Sequence, residues 1–397
     1  ATAYGGHRDT TQFQAIPRIV QTPGTHPGGV IDLDRSYWGS DAHWTHAFES
    51  LGVALTAGAA YDRLDERRQG YENFSGSTLG VRGKLRRNES NLAFDVDEYL
   101  QAQWEPSRSW LVMAGARHSE VNIESADHYI ALTATPPNPN DSGNVRYTAT
   151  TPVAGVTYRA SDRLHTYVSF GRGFETPTLN ELAYRSLSGT TTGMNLDLAP
   201  ARSRHYEAGV KWRDERVKIN ADVFHVTTWD EIAIAAASGG RTVYYNAGKT
   251  YRDGAEAELN ATLPDGFGTA FAYTWLRAVY DQPSKRIPAL PLHTAYAELS
   301  WTHTPSGLGL GIEGRWVSDL FANDANDQRA PGYVIANVRA TLEQTFAHWR
   351  WQEYFRIDNI ADRDYVGSVI VNESNQRYFE PAPGRTWLVG FNAKVKI

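Results

Sequence analysis

The chain has 397 residues, a net charge of -6 at pH 7 and no cysteine. Without thiols there is no disulfide framework and no thiolate metal site, and an acidic chain with dispersed Lys and Arg lacks the basic stripe that nucleic-acid binding needs. No run of about 18 apolar residues occurs, so no membrane-spanning helix is expected. The mean hydropathy of -0.48 fits a soluble protein. It fits equally a barrel whose strands give every second residue to lipid.

Ala1–Gly6, "ATAYGG", lacks the basic start and apolar stretch of an export signal, so the chain is expected to be processed or shortened. Abundant Tyr, Trp and Phe with only 2 Met favour strands. From Thr11 onward about sixteen strands are expected, many longer than the 9 to 11 residues that cross a bilayer. Gly29–Phe48 and Val53–Phe74 are the first long pair. In the first, His43 and His46 ("HWTH") are three apart, which puts them on opposite faces of a strand and prevents them from sharing an ion. In the second, Asp62, Arg63, Asp65, Glu66, Arg67 and Arg68 interleave, as expected of pairing along an inner barrel wall.

The connections alternate in length. Short turns are expected at Glu49–Gly52, Pro106–Arg108, Ser161–Arg163, Asp214–Glu215, Pro264–Gly266, Thr304–Gly307 and Ala347–His348. Long polar connections are expected at Ser75–Arg86, Thr135–Asn144, Pro177–Pro200, Asp281–Leu290, Ala322–Gly332 and Asp362–Gly384. Tight turns at one end and long loops at the other are the layout of an outer-membrane barrel. Trp104, Trp110, Trp212, Trp301, Trp349 and Trp351 collect near the short turns, as an interfacial aromatic girdle would.

Period-two alternation is clearest late in the chain. Val217, Ile219, Ala221 and Val223 oppose Lys218, Asn220 and Asp222; Val334, Ala336, Val338, Ala340 and Leu342 oppose Asn337, Arg339, Thr341 and Glu343. Trp387, Val389, Phe391, Ala393 and Val395 oppose Gly390, Asn392, Lys394 and Lys396. Each strand alone suits a sandwich or a barrel, and the sorted connections favour the barrel.

"FGRGFETPTLNEL", Phe170–Leu182, begins like a nucleotide-binding glycine turn, but Thr176 stands where the third glycine belongs and Pro177 follows. Its structural reading is that Gly171 and Gly173 permit a bend or a close neighbour, Pro177 ends strand pairing, and Leu179–Arg185 makes a helical turn capped by Thr178. "ANDANDQRAPGY", Ala322–Tyr333, has the oxygens of a calcium loop in Asn323, Asp324, Asn326 and Asp327, without the spacing or distal Glu of the calcium hand. It reads as a solvated loop. GxSxG, HExxH and P-loop motifs do not occur, so no catalytic constellation is expected.

"YVSFGRGFETPTLNELAYR" (Tyr167–Arg185) resembles the signature of TonB-dependent outer-membrane receptors. Further segments resembling that family follow the same order: "YLQAQWEP" at Tyr99, "ARSRHYEAGVK" at Ala201, "YYNAGKTYRDGAEAEL" at Tyr244, "IPALPLHTAYAELSW" at Ile287, "RIDNIADRDYVGSV" at Arg356 and "RYFEPAPGRTWLVGF" at Arg377. The resemblance implies an all-β transmembrane antiparallel barrel of 22 strands with an internal plug. Residues 1–397 are expected to be its C-terminal portion, about sixteen strands, without the plug, the TonB box or about six first strands. Counting back from a descending last strand makes the first strand here an ascending one. Ile397 stands where the family commonly ends in an aromatic, a role left to Phe391 or Trp387.

The implied function is TonB-dependent import of a scarce nutrient, usually a ferric siderophore, across the bacterial outer membrane. Cobalamin, another metal chelate or a small organic cofactor are alternatives. The implied partners are TonB, outer-membrane lipid and the small-molecule ligand; the receptor would be a monomer and not an enzyme. No resident cofactor or metal is implied, the iron chelate being cargo. Ligand contacts are expected from Tyr184, Arg185, Arg241, Tyr245, Arg329, Arg377 and Tyr378 in the external loops. The rival reading is a passive porin-like channel complete at about sixteen strands, which would conduct ions without energy coupling.

Overall fold

The computed structural model describes residues 1–187, 190–238 and 241–395. Sixteen strands form one antiparallel sheet: β1 (Thr2–Phe13), β2 (Val30–Phe48), β3 (Val53–Tyr71), β4 (Leu85–Ser107), β5 (Trp110–Asp127), β6 (Gly143–Arg159), β7 (Leu164–Glu175), β8 (Ala201–Arg213), β9 (Val217–Trp229), β10 (Thr250–Thr262), β11 (Phe267–Tyr280), β12 (His293–His303), β13 (Leu308–Val317), β14 (Tyr333–Phe346), β15 (Trp349–Asp358) and β16 (Thr386–Val395). Each strand is hydrogen-bonded to the next in sequence, with no crossover. The edge strands β1 and β16 do not pair with each other among the described residues.

All the expected short turns are found, and the first follows the second strand. Two further long connections, 14–29 and 230–249, join those read from the sequence. The second was hidden because it is itself a hairpin, Ile232–Ser238 paired with Arg241–Asn246, whose apolar run looks like barrel strand. β2 and β3 are 19 residues each and β4 is 23, so their upper ends stand well clear of a bilayer that about 9 to 11 residues can cross.

The alternation fixes inside and outside. On β9, Val223 is 58% exposed, and on β16 Val389 is 76% exposed, on a sheet face that no second sheet covers among the described residues. A soluble sandwich would bury this face; here it is the lipid face. The opposite face is polar and internally bonded. On β12 to β15, Arg339 pairs with Glu298 and Glu313, Arg356 with Glu313, and Asn337 Nδ2 donates to Glu313 Oε1 at 2.8 Å. This is the lumen wall, where cross-strand pairs of opposite charge stabilise the sheet.

Two aromatic rows bound the apolar band. The row expected at the short turns is present: Trp110 meets Tyr158 at 4.7 Å, Trp349 meets Trp351 at 5.5 Å and Trp351 meets Phe391 at 4.9 Å. The upper row was not read from the sequence. It contains Trp38 against Tyr61 (4.9 Å), Phe170 against Tyr206 (5.2 Å) and Phe355 against Trp387 (5.5 Å). These upper rings lie about six to ten residues along their strands from the turns, the spacing a bilayer demands of a strand.

Above the upper row both faces of the strands are wet, which revises one expectation. Glu66 and Arg68 face the lumen as anticipated, but Arg63 and Asp65 share the opposite face and bond each other at 2.7 Å. His43 and His46 do lie on opposite faces. His43 Nδ1 is 3.1 Å from Asp41 Oδ1, whereas His46 stacks with Trp44 (5.4 Å) and Phe48 (4.5 Å). Lys396 and Ile397 lie outside the described residues, so the role expected of the chain end is not addressed.

Candidate ligand-binding mouth of the barrel

The site is built by a loop that turns into the lumen. After Pro177 the chain forms one helical turn, α1 (Leu179–Leu182), whose N-cap is Thr178 as the sequence suggests. Thr178 Oγ1 accepts from Glu181 N at 3.3 Å, and Glu181 Oε2 accepts from Thr178 N at 2.8 Å, a reciprocal capping box. The turn exists because its two leucines have somewhere to go. Leu179 and Leu182 pack with Met194 and Leu198 from the same loop onto Ile123 of β5 and Tyr147 of β6. Tyr147 Oη donates to Leu198 O at 2.8 Å, clamping the far end of the loop. The apolar cluster therefore lies inside the wall, under the external mouth.

Tyr184 follows directly and is buried among three guanidinium groups. Arg68 Nη2 donates to Tyr184 Oη at 2.9 Å. The guanidinium carbons of Arg87, Arg241 and Arg68 lie 5.1, 5.4 and 5.5 Å from the ring centroid, within cation–π range. Arg68 and Arg87 come from the fixed wall on β3 and β4, and Arg241 from the hairpin above. Each is anchored a second way or flanked by acid. Arg87 binds Glu89 and donates to Ala183 O at 3.0 Å, and Arg241 donates to Gly28 O; beside Arg68, Glu66 accepts from Asn91 Nδ2 at Oε1 (2.9 Å) and from Arg35 at Oε2.

Burial raises the Tyr184 phenol, but Arg68, Arg87 and Arg241 outweigh it and bring it down to about 8. Burial lowers the Arg241 guanidinium below its ordinary range, with Arg87 and Arg68 adding to the effect. His26, in the 14–29 loop, is held at about 3 by burial and by Arg241 and Arg86. Its neutral ring suits its role: Gly28 N donates to His26 Nδ1 at 3.1 Å.

Of the expected contact residues, the structure brings Tyr184 and Arg241 together. Tyr245 is on the same hairpin but outside the cluster, its phenol raised by burial and by Asp324. Arg329 is exposed and bonds Asp319 at 2.8 Å. Arg377 is exposed and Tyr378 half-buried against Phe379 in the last loop. The side chain of Arg185 lies outside the described residues. Arg68 and Arg87 were missed as site residues because they sit on strands; the signal was the run of charge at the ends of strands too long for a bilayer.

The Ala322–Tyr333 stretch, read from the sequence as a solvated loop, spends its oxygens on neighbouring segments and on itself. Asp324 accepts from Tyr280 Oη at 2.9 Å and Asn372 Nδ2 at 2.8 Å, Asn326 Oδ1 accepts from Arg286 N at 2.8 Å, and Asp327 Oδ1 accepts from Asn323 Nδ2 at 2.7 Å. Asn372 Nδ2 also donates to Ile234 O at 2.7 Å, so three external loops are fastened together.

A polar-walled antiparallel barrel with an aromatic girdle and long, inward-folded external loops has the architecture of an outer-membrane β-barrel. Residues 2–360 match the family model "TonB dependent receptor-like, beta-barrel", and the chain belongs to that family. It is therefore an outer-membrane β-barrel from a family of receptors and not of enzymes. Among curated proteins it is 26% identical over 226 residues to the ferrioxamine receptor of Yersinia enterocolitica, covering 54% of this chain and 30% of that one. It is 23% identical over 279 residues to the ferrichrome outer membrane transporter/phage receptor of Escherichia coli K12, covering 68% and 34%. The chain thus spans about a third of the length of these relatives.

Solved structures share the fold. The siderophore receptor PiuA of Acinetobacter baumannii superposes with a TM-score of 0.75 at 17% identity, over 99% of this chain and 61% of that one. The copper transporter OprC gives 0.78 at 15% identity, over 98% and 61%.

Proposed function

We propose that the protein serves TonB-dependent import of a scarce nutrient, a ferric siderophore being the cargo. The observation that carries this reading is the mouth: external loops fold into a polar lumen and leave guanidinium groups such as Arg377 exposed. Ferric chelates present anionic oxygens, and arginine forks bind such oxygens through charge-assisted hydrogen bonds. The relatives named for ferrioxamine and ferrichrome support that cargo class. Residues 1–397 act as barrel, TonB supplies the energy, and a monomer in outer-membrane lipid binds one small-molecule ligand. Among the described residues β1 and β16 do not pair with each other, which speaks against a passive pore closed at sixteen strands.

Titrating the purified protein with a ferric trihydroxamate, a ferric catecholate, cobalamin and a copper chelate, followed by tryptophan fluorescence, tests this reading. Saturable binding of one ferric chelate is expected, weakened roughly tenfold by Arg377→Gln, which removes an exposed guanidinium of the last external loop. Saturation by cobalamin or copper alone, or by no chelate, overturns the siderophore assignment.

A further inference from the structure

A set of metal-ligating side chains stands on the first two strands, outside the lumen. His7 and Asp9 of β1 face Ser36 and Asp34 of β2, with His7 directly opposite Ser36 and Asp9 directly opposite Asp34. Gly5, two residues before His7, pairs with Trp38 of the upper aromatic row, so all four side chains share the outward face and lie above that row. The imidazole sits between the two carboxylates: Nε2 is 3.2 Å from Asp9 Oδ1, and Nδ1 is 3.7 Å from Asp34 Oδ1. One ligand atom from each of the three residues lies within 4.8 Å of the others, and no other group of three His, Asp or Glu side chains meets that condition among the described residues.

Charge and tautomer identify the occupant. Two carboxylates directly opposite each other on an antiparallel pair repel. No Lys or Arg forms an ion pair with Asp9 or Asp34 among the described residues; Arg67, opposite Asp34 on β3, is exposed and does not bond it. A neutral imidazole has one N–H and one lone pair, so it can donate to a single neighbour. Ser36 Oγ lies 3.0 Å from Nδ1 and is placed to take that proton. The Nε2 lone pair then faces Asp9 Oδ1, and a cation between these two electron-rich atoms removes the conflict.

We propose that His7, Asp9 and Asp34 bind a divalent transition-metal ion of the zinc class, with solvent completing its coordination and Ser36 orienting the imidazole from behind. An imidazole joined to carboxylates suits zinc and its first-row neighbours, whereas calcium and magnesium take oxygen ligands. The ion fastens the upper end of β1 to β2, just before the 14–29 loop whose Gly28 O accepts from Arg241. The site lies outside the lumen and is independent of the import reading.

The test uses the protein purified in detergent without a histidine tag. Zinc chloride is the probe and calcium chloride the control, read by calorimetric titration and by hydrogen exchange. Wild type is expected to take up zinc saturably and, when loaded, to exchange more slowly over residues 5–13 and 30–37. His7→Ala should abolish that slowing. Ser36→Ala should weaken zinc binding roughly tenfold, as loss of an outer hydrogen bond to a metal-bound imidazole does. His43→Ala, which removes a histidine beside the single carboxylate of Asp41, should leave both readouts intact. Asp9→Asn serves in place of His7→Ala if that variant fails the heat-modifiable mobility test for a folded barrel. Wild type without zinc-dependent slowing, slowing that survives the loss of His7, or equal slowing by calcium overturns the proposal; the first of these leaves a protonated His7 as the counter-charge.

Discussion

Tyr184 ties the wall to the loops, since Arg68 and Arg87 belong to the wall and Arg241 to the hairpin. Tyr184→Phe keeps the ring and removes the acceptor of Arg68, leaving a buried donor unsatisfied at about 1 to 3 kcal/mol. The expected result is faster hydrogen exchange confined to 176–187, with global melting unchanged; exchange equal to wild type would count against the cluster. Acidity acts in one direction on both titrating groups here. The Tyr184 phenol is depressed in the fold from 10.0 to about 8, so its stabilisation is whole above the unfolded value and lost as pH falls through the folded one. His26 is depressed from 6.5 to about 3, so the fold keeps it neutral, and its contribution is whole above 6.5 and declines as pH drops towards 3. Protease cleavage within 14–29 should therefore accelerate below pH 6.5 in wild type and respond less to pH in His26→Gln. A flat profile in wild type would contradict the assignment. Tyr184 and Arg241 were legible because the sequence marks them as loop residues. Arg68 and Arg87 were not, because alternation shows which face a strand residue takes but not what folds down to meet it.

At the scale of elements, α1 depends on its cap and on the cavity its leucines fill. Thr178→Ala removes the capping acceptor at about 1 kcal/mol, and should raise exchange at Glu181 and Leu182 without moving the barrel's melting point. The glycines of the FGRG stretch differ. A Cβ on Gly171 would meet only Val153 Cγ1 at an ordinary 3.6 Å, whereas one on Gly173 would meet Ser203 Oγ at 2.2 Å. Gly173→Val is therefore expected to displace the Ser203 hydroxyl from its 2.7 Å bond to His205 Nε2 and lower barrel assembly, measured by heat-modifiable mobility, while Gly171→Ala is tolerated; the reverse order would refute this reading. Strands, turns and the cap were readable since period two, Gly/Pro punctuation and Thr-x-x-Glu each have a local cause. The hairpin within 230–249 was not, because a loop strand and a barrel strand obey the same local rules.

For the molecule as a whole, the apolar face of the sheet and its paired rows of aromatic residues set the barrel in lipid, and the polar ladder of Glu298, Glu313, Arg339 and Arg356 lines the lumen. The lower aromatic row was visible beside turns that the sequence marks. The upper row was obscured because it falls mid-strand, away from the turns that the sequence marks. The central claim is that transport across this barrel is energised. Uptake of a radioiron-labelled siderophore by cells whose only receptor carries this chain tests it most directly, with TonB present or deleted. The account predicts saturable uptake that disappears without TonB or when the proton gradient is collapsed. Uptake or steady ion conductance that persists without TonB would contradict it and favour a passive channel.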